Sequence, residues 1–120
     1  MPLLSKAKSA YVLWFEYYQT IPRIHKYSFG QKVDSLFSET IEALAIAGFL
    51  PKEEKLPWVK LAIRKVNTIT VFLLILWEVG SLNDKKYISI STKIDEIGKM
   101  LGGWSGQITA QLTKQNSPKK

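Results

Sequence analysis

The sequence predicts an all-α protein, a single-domain antiparallel up-down four-helix bundle. Apolar residues recur at helical spacing in four segments, proline or glycine stands between the segments, and no stretch alternates long enough to predict a strand. The chain has 120 residues, of which 46% are hydrophobic, so one core can form without disulfides or a structural metal. Short connections favour antiparallel neighbours. We expect the bundle over residues 1–112 and a basic flexible tail at 113–120.

The first helix is expected at about 5–20. One face shows the i, i+3, i+4, i+7 spacing of buried helical residues at Tyr11, Trp14, Phe15 and Tyr18. Other apolar side chains lie on the remaining faces, so this helix needs more cover than one small bundle offers. Pro22 removes a backbone donor and disfavours helical geometry at Ile21, which ends the helix.

The second helix is expected at about 28–48. Ser28 and Gln31 have the spacing of a capping box, in which each side chain satisfies the free backbone N–H of the other residue. A start one turn earlier, with Gly30 inside the helix, is the alternative. Gly48 is the expected stop, because glycine adopts the conformation that commonly follows a helix end.

The third and fourth helices are expected at about 54–80 and 84–110. Pro57 would lie in the first turn of the third helix, whose second half is nearly all apolar and has to be covered on most sides. The fourth helix would open at Asn83, and its glycine pair in MLGGW (100–104) suits close helix packing or a fraying end. Its apolar residues repeat at nearly heptad spacing, which indicates a bundle seam: Tyr87, Ile90, Ile94, Ile97, Leu101, Trp104 and Ile108.

The residue types argue against several classes of function. The chain has no cysteine and one histidine, His25, so it lacks the converging ligands of a metal site. No acidic residue near His25 would orient it as a base for a serine nucleophile. We therefore expect no catalytic residues, no enzymatic activity and no cofactor. The longest apolar run, at 69–79, is too short for a transmembrane helix, and no signal peptide is evident, so we expect a cytoplasmic protein without membrane contact.

Positive charge is the main functional signal. There are 17 Lys and Arg residues against 10 Asp and Glu, a net charge of +7, and residues 51–120 carry +6 of it. Such a field favours polyanions such as RNA, DNA or an anionic membrane surface. The alternative is a solubilising surface. The nucleic-acid-binding residues that we expect lie in the first connection and on the first half of the third helix: Arg23, His25, Lys26, Lys60, Arg64 and Lys65.

Three stretches resemble one family of proteins: IPRIHKYSFGQKV (21–33), AIRKVNTITVFLLILWEVGSLNDKKYISIS (62–91) and TKIDEIGKMLGGW (92–104). They are similar to the Avd-like (accessory variability determinant) proteins of diversity-generating retroelements. Those four-helix bundles are related to small proteins encoded in bacterial 23S ribosomal RNA intervening sequences. The resemblance implies a homopentameric, basic, barrel-like bundle. It would bind the reverse transcriptase and its template RNA in mutagenic homing, with no chemistry of its own.

Two classes of function are thus open. The first is a non-catalytic nucleic-acid-binding accessory subunit of a reverse transcriptase, with an RNA-binding bundle of the ribosomal RNA intervening-sequence type as a narrower variant. The second is a helical oligomeric adaptor that binds protein only, its positive charge serving solubility. Salt-dependent RNA binding separates the two, because neutralising phosphates releases the counterions condensed on the nucleic acid.

Overall fold

A computed structural model describes residues 2–115 of the chain, and all the regular structure in them is helical. The four long helices are α1 (Pro2–Tyr18), α2 (Gln31–Phe49), α3 (Lys52–Glu78) and α4 (Asp84–Gln115). A short helical turn, Arg23–His25, and a π-helical turn, Lys26–Gly30, lead directly into α2. No strand occurs among residues 2–115, so the all-α prediction is confirmed for the described chain.

The helices pack into a single compact domain. α1 lies mainly against α2 and α4, and α3 lies mainly against the same two helices, so α1 and α3 are diagonal to each other. The core runs along the length of the domain. On α3 it takes one residue in every turn or so: Val59, Ala62, Val66, Ile69, Leu73 and Leu76. Full burial of an aliphatic side chain of this size contributes about 1.5–3 kcal/mol.

The seam predicted for the fourth helix is confirmed. Five of its seven residues are buried: Ile90, Ile94, Ile97, Leu101 and Ile108. Tyr87 precedes that stretch and Trp104 lies within it, and both side chains are partly buried and pack against the core. The heptad spacing keeps one stripe of α4 facing its neighbours, and this places the polar residues of the helix outside.

The face predicted for the first helix is partly wrong. The buried stripe of α1 comprises Leu3, Ala7, Ala10 and Trp14. Phe15 is 50% exposed and lies beside that stripe, not in it. On a helix that is apolar on several sides, spacing alone does not say which stripe turns inward. The stripe that faces the core is the one that contains the small residues Ala7 and Ala10.

The predicted capping box at Ser28 and Gln31 does not form. Ser28 Oγ instead donates a hydrogen bond to the backbone carbonyl of His25, at 3.3 Å. Gly30 has helical angles, so the earlier start with Gly30 inside the helix is the correct alternative. The helical stretch begins after Pro22, whose carbonyl accepts from the N–H groups of His25 and Lys26. Pro22 therefore opens the second helical stretch, whereas α1 has already ended at Tyr18.

The remaining boundaries fall within a few residues of the predicted ones. α3 begins at Lys52, so Pro57 lies in its second turn and not in its first. Gly80, with a φ of +80°, follows the end of α3. Asn83 opens α4 as predicted, because its Oδ1 accepts the backbone N–H of Lys86 at 2.9 Å. α4 extends to Gln115, so residues 113–115 of the predicted tail are helical, and 116–120 lie outside the described residues.

Within residues 2–115, none of the helices combines the length and the apolar composition that crossing a membrane would require.

Candidate nucleic-acid interface

The six predicted nucleic-acid-binding residues do not form one site. Arg23, His25 and Lys26 lie in the connection between α1 and α2, which contacts the turn between α3 and α4 through Ser81. The other three lie on the first half of α3: Lys60, Arg64 and Lys65. We call these three residues the α3 group. From Arg64 to Glu78 at the end of α3 the helix rises about 21 Å, at 1.5 Å per residue. The two sets are therefore separate surfaces.

The connection between α1 and α2 holds two of its basic-type side chains, Lys26 and His25, in contact with other residues. Lys26 Nζ lies over the Tyr18 ring, 5.6 Å from the ring centroid. His25 Nδ1 lies 2.8 Å from Ser81 Oγ, a hydrogen bond whose donor depends on the histidine tautomer. Arg23 is exposed. Ser81 is only 8% exposed, so its contact with His25 fastens two connections together and does not present a hydroxyl group to a substrate.

A residue outside the predicted set, Lys86, lies beside this connection. Its Nζ donates a hydrogen bond to Thr20 Oγ1 at 2.8 Å and lies 5.6 Å from the centroid of the Tyr17 ring. Lys85 precedes it and is exposed. A signal for Lys86 was present in the sequence, because an antiparallel bundle brings the start of the fourth helix to the end of the first. We call this set the loop-end cluster: Arg23, His25, Lys26, Lys85 and Lys86.

The α3 group is less available to a ligand. Lys65 Nζ forms an ion pair with Glu39 Oε2 at 3.0 Å, which offsets its charge. Lys60 and Arg64 are exposed and line a shallow groove together with Pro57 and Ile63. Lys60 and Arg64 can therefore bind an anion on this surface, whereas Lys65 is already paired with a carboxylate.

Other lysines on the surface are also paired with carboxylates. Lys6 on α1 bonds to Glu96 on α4, and this hydrogen bond, together with the lysine charge, lowers the pKa of Glu96. Lys99 pairs with Asp95 one turn earlier on α4, at 3.2 Å. Such exposed pairs contribute little stability, but they reduce the local positive field.

Residues that could bind a metal do not converge anywhere in the described chain. No group of three or more His, Cys, Asp or Glu side chains lies close enough to hold an ion within residues 2–115. The polar atoms that stand out are instead in the interface between α1 and α2. There, Trp14 Nε1 and Asp34 Oδ1 are both buried without a hydrogen-bond partner.

Two apolar patches face solvent on opposite sides of the domain. On α1, Val12 is 60% exposed and lies one turn from the half-exposed Phe15. On α3, Val71 is 52% exposed and Leu74, one turn later, is 38% exposed. Because α1 and α3 are diagonal, the two patches point away from each other. Exposed apolar side chains that lie one helical turn apart are candidates for contact with another protein.

No family model and no curated protein matches the chain. Among solved structures, its fold is similar to that of a protein of unknown function from the S23 ribosomal protein family of Bacteroides thetaiotaomicron VPI-5482. The TM-score is 0.79 at 14% sequence identity, and the match covers 86% of this chain and 97% of the other. At this identity the similarity shows the all-helical fold alone.

Proposed function

We propose that the protein is a non-catalytic nucleic-acid-binding accessory protein of a diversity-generating retroelement. It would bind the reverse transcriptase and the template RNA. The observation that carries the proposal is the set of basic side chains that the fold leaves without carboxylate partners at the loop-end cluster. The sequence resemblance to Avd-like bundles supplies the biological setting. The structural similarity to a member of a ribosomal protein family is in keeping with an RNA-related role.

The up-down antiparallel arrangement is part of the same proposal. The contact between Lys86 and Thr20 supports an antiparallel α1 and α4, since it joins the start of one helix to the end of the other. Lys55 Nζ donates to the carbonyl of Ala47 at 2.6 Å, which likewise supports an antiparallel α2 and α3. This is the arrangement that short connections favour in bundles.

A homopentameric ring is the assembly that we propose. Two different apolar patches on opposite sides of one domain suit a head-to-tail contact, in which the α1 patch of one copy covers the α3 patch of the next. Head-to-tail contacts close into rings when the rotation between copies permits. The number five comes from the resemblance to Avd-like proteins. A ring would also bring several loop-end clusters together and strengthen the positive field.

A helical adaptor that binds only protein is the second candidate. The exposed apolar residues on α3 favour it, because a partner protein could cover Val71 and Leu74 without any nucleic acid. A third candidate, an RNA-binding bundle of the ribosomal RNA intervening-sequence type, is favoured by the same similarity to the S23 family.

The test is the salt dependence of binding to the template RNA. Counterion release predicts that affinity falls by roughly 0.7–0.9 log units per log unit of salt for each phosphate neutralised. Replacing Arg23, Lys26, Lys60 and Arg64 by glutamine should flatten that slope at unchanged helicity. A control replaces two lysines that already have acidic partners, Lys6 and Lys99, and should leave the slope nearly unchanged.

Two results would favour the adaptor instead. One is no retention of RNA at about 50 mM salt, where electrostatic binding is strong. The other is retention that the fourfold replacement leaves untouched. The proposal also expects that the purified protein neither cleaves nor extends nucleic acid. Turnover that follows a point variant of this chain would contradict its non-catalytic part.

A further inference from the structure

We propose that the loop-end cluster is a preformed site for neighbouring phosphates of a nucleic-acid backbone, and that Lys86 is one of its principal contacts. The inference rests on the proposed function and makes it more specific, because it assigns binding to one of the two basic surfaces. It also adds two residues, Lys85 and Lys86, to those expected from the sequence.

The first argument is that two ammonium groups are already held in place. Lys26 and Lys86 lie over Tyr18 and Tyr17, which are consecutive residues at the end of α1. A side chain that is ordered before binding loses less conformational freedom when the ligand arrives. Lys86 spends one of its three N–H donors on Thr20, which leaves two donors for a phosphate oxygen.

The second argument concerns where these charges stand relative to the helices. Lys85 and Lys86 lie in the first turn of α4, and Arg23 and Lys26 lie at the start of the helical stretch that continues into α2. The N-terminal end of a helix carries partial positive charge, so cations are unfavourable there and anions are favourable. The cluster therefore works against local stability and strengthens the attraction of an anion, as expected of a binding site.

The two helix starts lie at the same end of the domain. His25 contacts Ser81, two residues before Asn83 caps α4, and Lys86 contacts Thr20 at the end of α1. The positive end of α4 thus adds to the side-chain charges of the cluster. The acidic residue in the first turn of α4 is Asp84, whose Oδ1 accepts a hydrogen bond from Trp77 Nε1–H at 2.7 Å.

Arg23 completes the cluster. It is exposed and stands three residues before Lys26, which is one helical turn. A guanidinium can bind a phosphate through two parallel hydrogen bonds, whereas an ammonium acts as a point charge. The α3 group has no comparable arrangement: Lys65 is paired with Glu39, and the first turn of α3 carries Glu53 and Glu54.

The experiment compares two triple variants that remove the same charge. One replaces Arg23, Lys26 and Lys86 by glutamine, and the other replaces Lys60, Arg64 and Lys65. Each loses one arginine and two lysines. Affinity for a labelled single-stranded RNA is measured between about 50 and 200 mM salt, and circular dichroism and mass confirm that both variants fold as the wild type.

We expect the loop-end triple variant to lose at least about tenfold in affinity at about 50 mM salt. The slope of its affinity against salt concentration, both on logarithmic scales, should fall by about 2, because three lost phosphate contacts account for roughly 0.7 each. The α3 variant should stay within about threefold of the wild type. A version that keeps Arg23 and Lys26 and carries Lys86→Arg should bind as the wild type does. Equal losses in the two triple variants, or a larger loss in the α3 variant, would overturn the assignment while leaving nucleic-acid binding intact.

Binding of inorganic polyphosphate, measured beside RNA binding, shows whether a negative result contradicts the proposed phosphate site or the proposed function. If the wild type binds no RNA yet binds polyphosphate, and the loop-end variant does not, then the phosphate site is correct and the proposed function is wrong. If the wild type binds neither probe at 50 mM salt, both are wrong.

Discussion

At the scale of single residues, the interface between α1 and α2 contains the polar atoms that packing has left unpaired. Trp14 Nε1 and Asp34 Oδ1 are buried without partners. The Trp14 ring stacks with Tyr18 and with Phe37, with centroids 5.6 and 6.0 Å away. A buried donor and a buried acceptor without partners each cost about 1–3 kcal/mol. We therefore expect the stability of the fold to depend on the ionisation of side chains at this interface.

Tyr11 should make the stability of the protein fall at alkaline pH. Burial raises the pKa of Tyr11 above its ordinary value of 10.0, and the Asp34 carboxylate raises it further as hydrogen-bond acceptor and as negative charge. A raised pKa in the folded state means that its stabilising effect is complete below pH 10 and is lost as the pH rises through the folded value. Tyr11→Phe should weaken this alkaline loss, measured as the free energy of unfolding in urea between about pH 8 and 11.

Tyr27→Phe is the matched control, because Tyr27 is 66% exposed. It should lose stability in parallel with the wild type over the same pH range. Parallel curves for all three proteins would show that Tyr11 has no part in the alkaline loss.

Gly102 should be replaceable by alanine with a gain in stability. It lies inside α4, and a Cβ at this position would meet no atom within 4 Å. Close packing within the chain, one of the two explanations that we expected for MLGGW, therefore does not account for it. Alanine in a helix interior is about 0.5–1 kcal/mol more stable than glycine. Gly102→Ala should raise the free energy of unfolding by about that amount in a denaturant titration.

Gly30 provides the opposite case. A Cβ there would stand 3.2 Å from the carbonyl oxygen of His25, which is backbone and has little freedom to move. Gly30→Ala should therefore destabilise the protein, although Gly30 lies in helical geometry as Gly102 does. If both substitutions changed stability equally, the local space around each glycine would not be the deciding factor.

At the scale of helices, the ends are defined by specific groups as well as by packing. The start of α4 is capped by the Asn83 side chain, and Lys55 Nζ donates to a carbonyl in the last turn of α2. α3 links these two helix ends, because its first turns contact the end of α2 and its last residues contact the start of α4. Trp77 near its end stacks on Tyr87, with ring centroids 5.1 Å apart.

Asn83→Ala should destabilise the protein by about 1 kcal/mol, within the range of about 0.5–2 kcal/mol for the loss of an N-cap. The reason is that the N–H of Lys86 would lose its acceptor. Thermal unfolding followed by circular dichroism measures the effect. The control is Asn67→Ala at an exposed position inside α3, which should be neutral or slightly stabilising because alanine favours helix. Equal destabilisation by both would show that the cap is not responsible.

At the scale of the whole molecule, the two apolar patches determine which assemblies are available. A patch on α1 that meets a different patch on α3 gives a head-to-tail contact, and such a contact leaves one free patch at each end until the ring closes. The loop-end clusters would then be repeated around the ring, which multiplies the charge available to one nucleic-acid chain.

Light scattering should give a mass near five times 13.7 kDa for the wild type. Phe15→Lys should disrupt the α1 patch and Leu74→Lys the α3 patch, so each variant alone should be a monomer. Each variant keeps one intact patch, so an equimolar mixture should form a dimer of about twice 13.7 kDa. A symmetric contact through one patch only would give no recovery on mixing, and a wild-type monomer at micromolar concentration would refute the ring.

The sequence by itself determined the helical class, the existence of four long helices and the inward stripe of α4. These follow from local chemistry: the heptad spacing of Ile90 to Ile108 selects one face of a helix whatever lies opposite, and Asn83 caps a helix with its own side chain. The basic character of the first connection was likewise readable from Arg23 and Lys26, because charge does not depend on folding.

Only the tertiary structure decided which stripe of α1 is buried and which basic residues act together. Ala7 and Ala10 are buried and Phe15 is half exposed, because burial depends on where the neighbouring helices pack and not on the hydrophobicity of one residue alone. Lys65 is offset by Glu39, 26 residues away in sequence, and Lys86 comes to Thr20 across 66 residues. The order of the helices brings the right ends together, but the spacing of residues within one helix does not specify such pairs, because they form only when separate helices pack side by side.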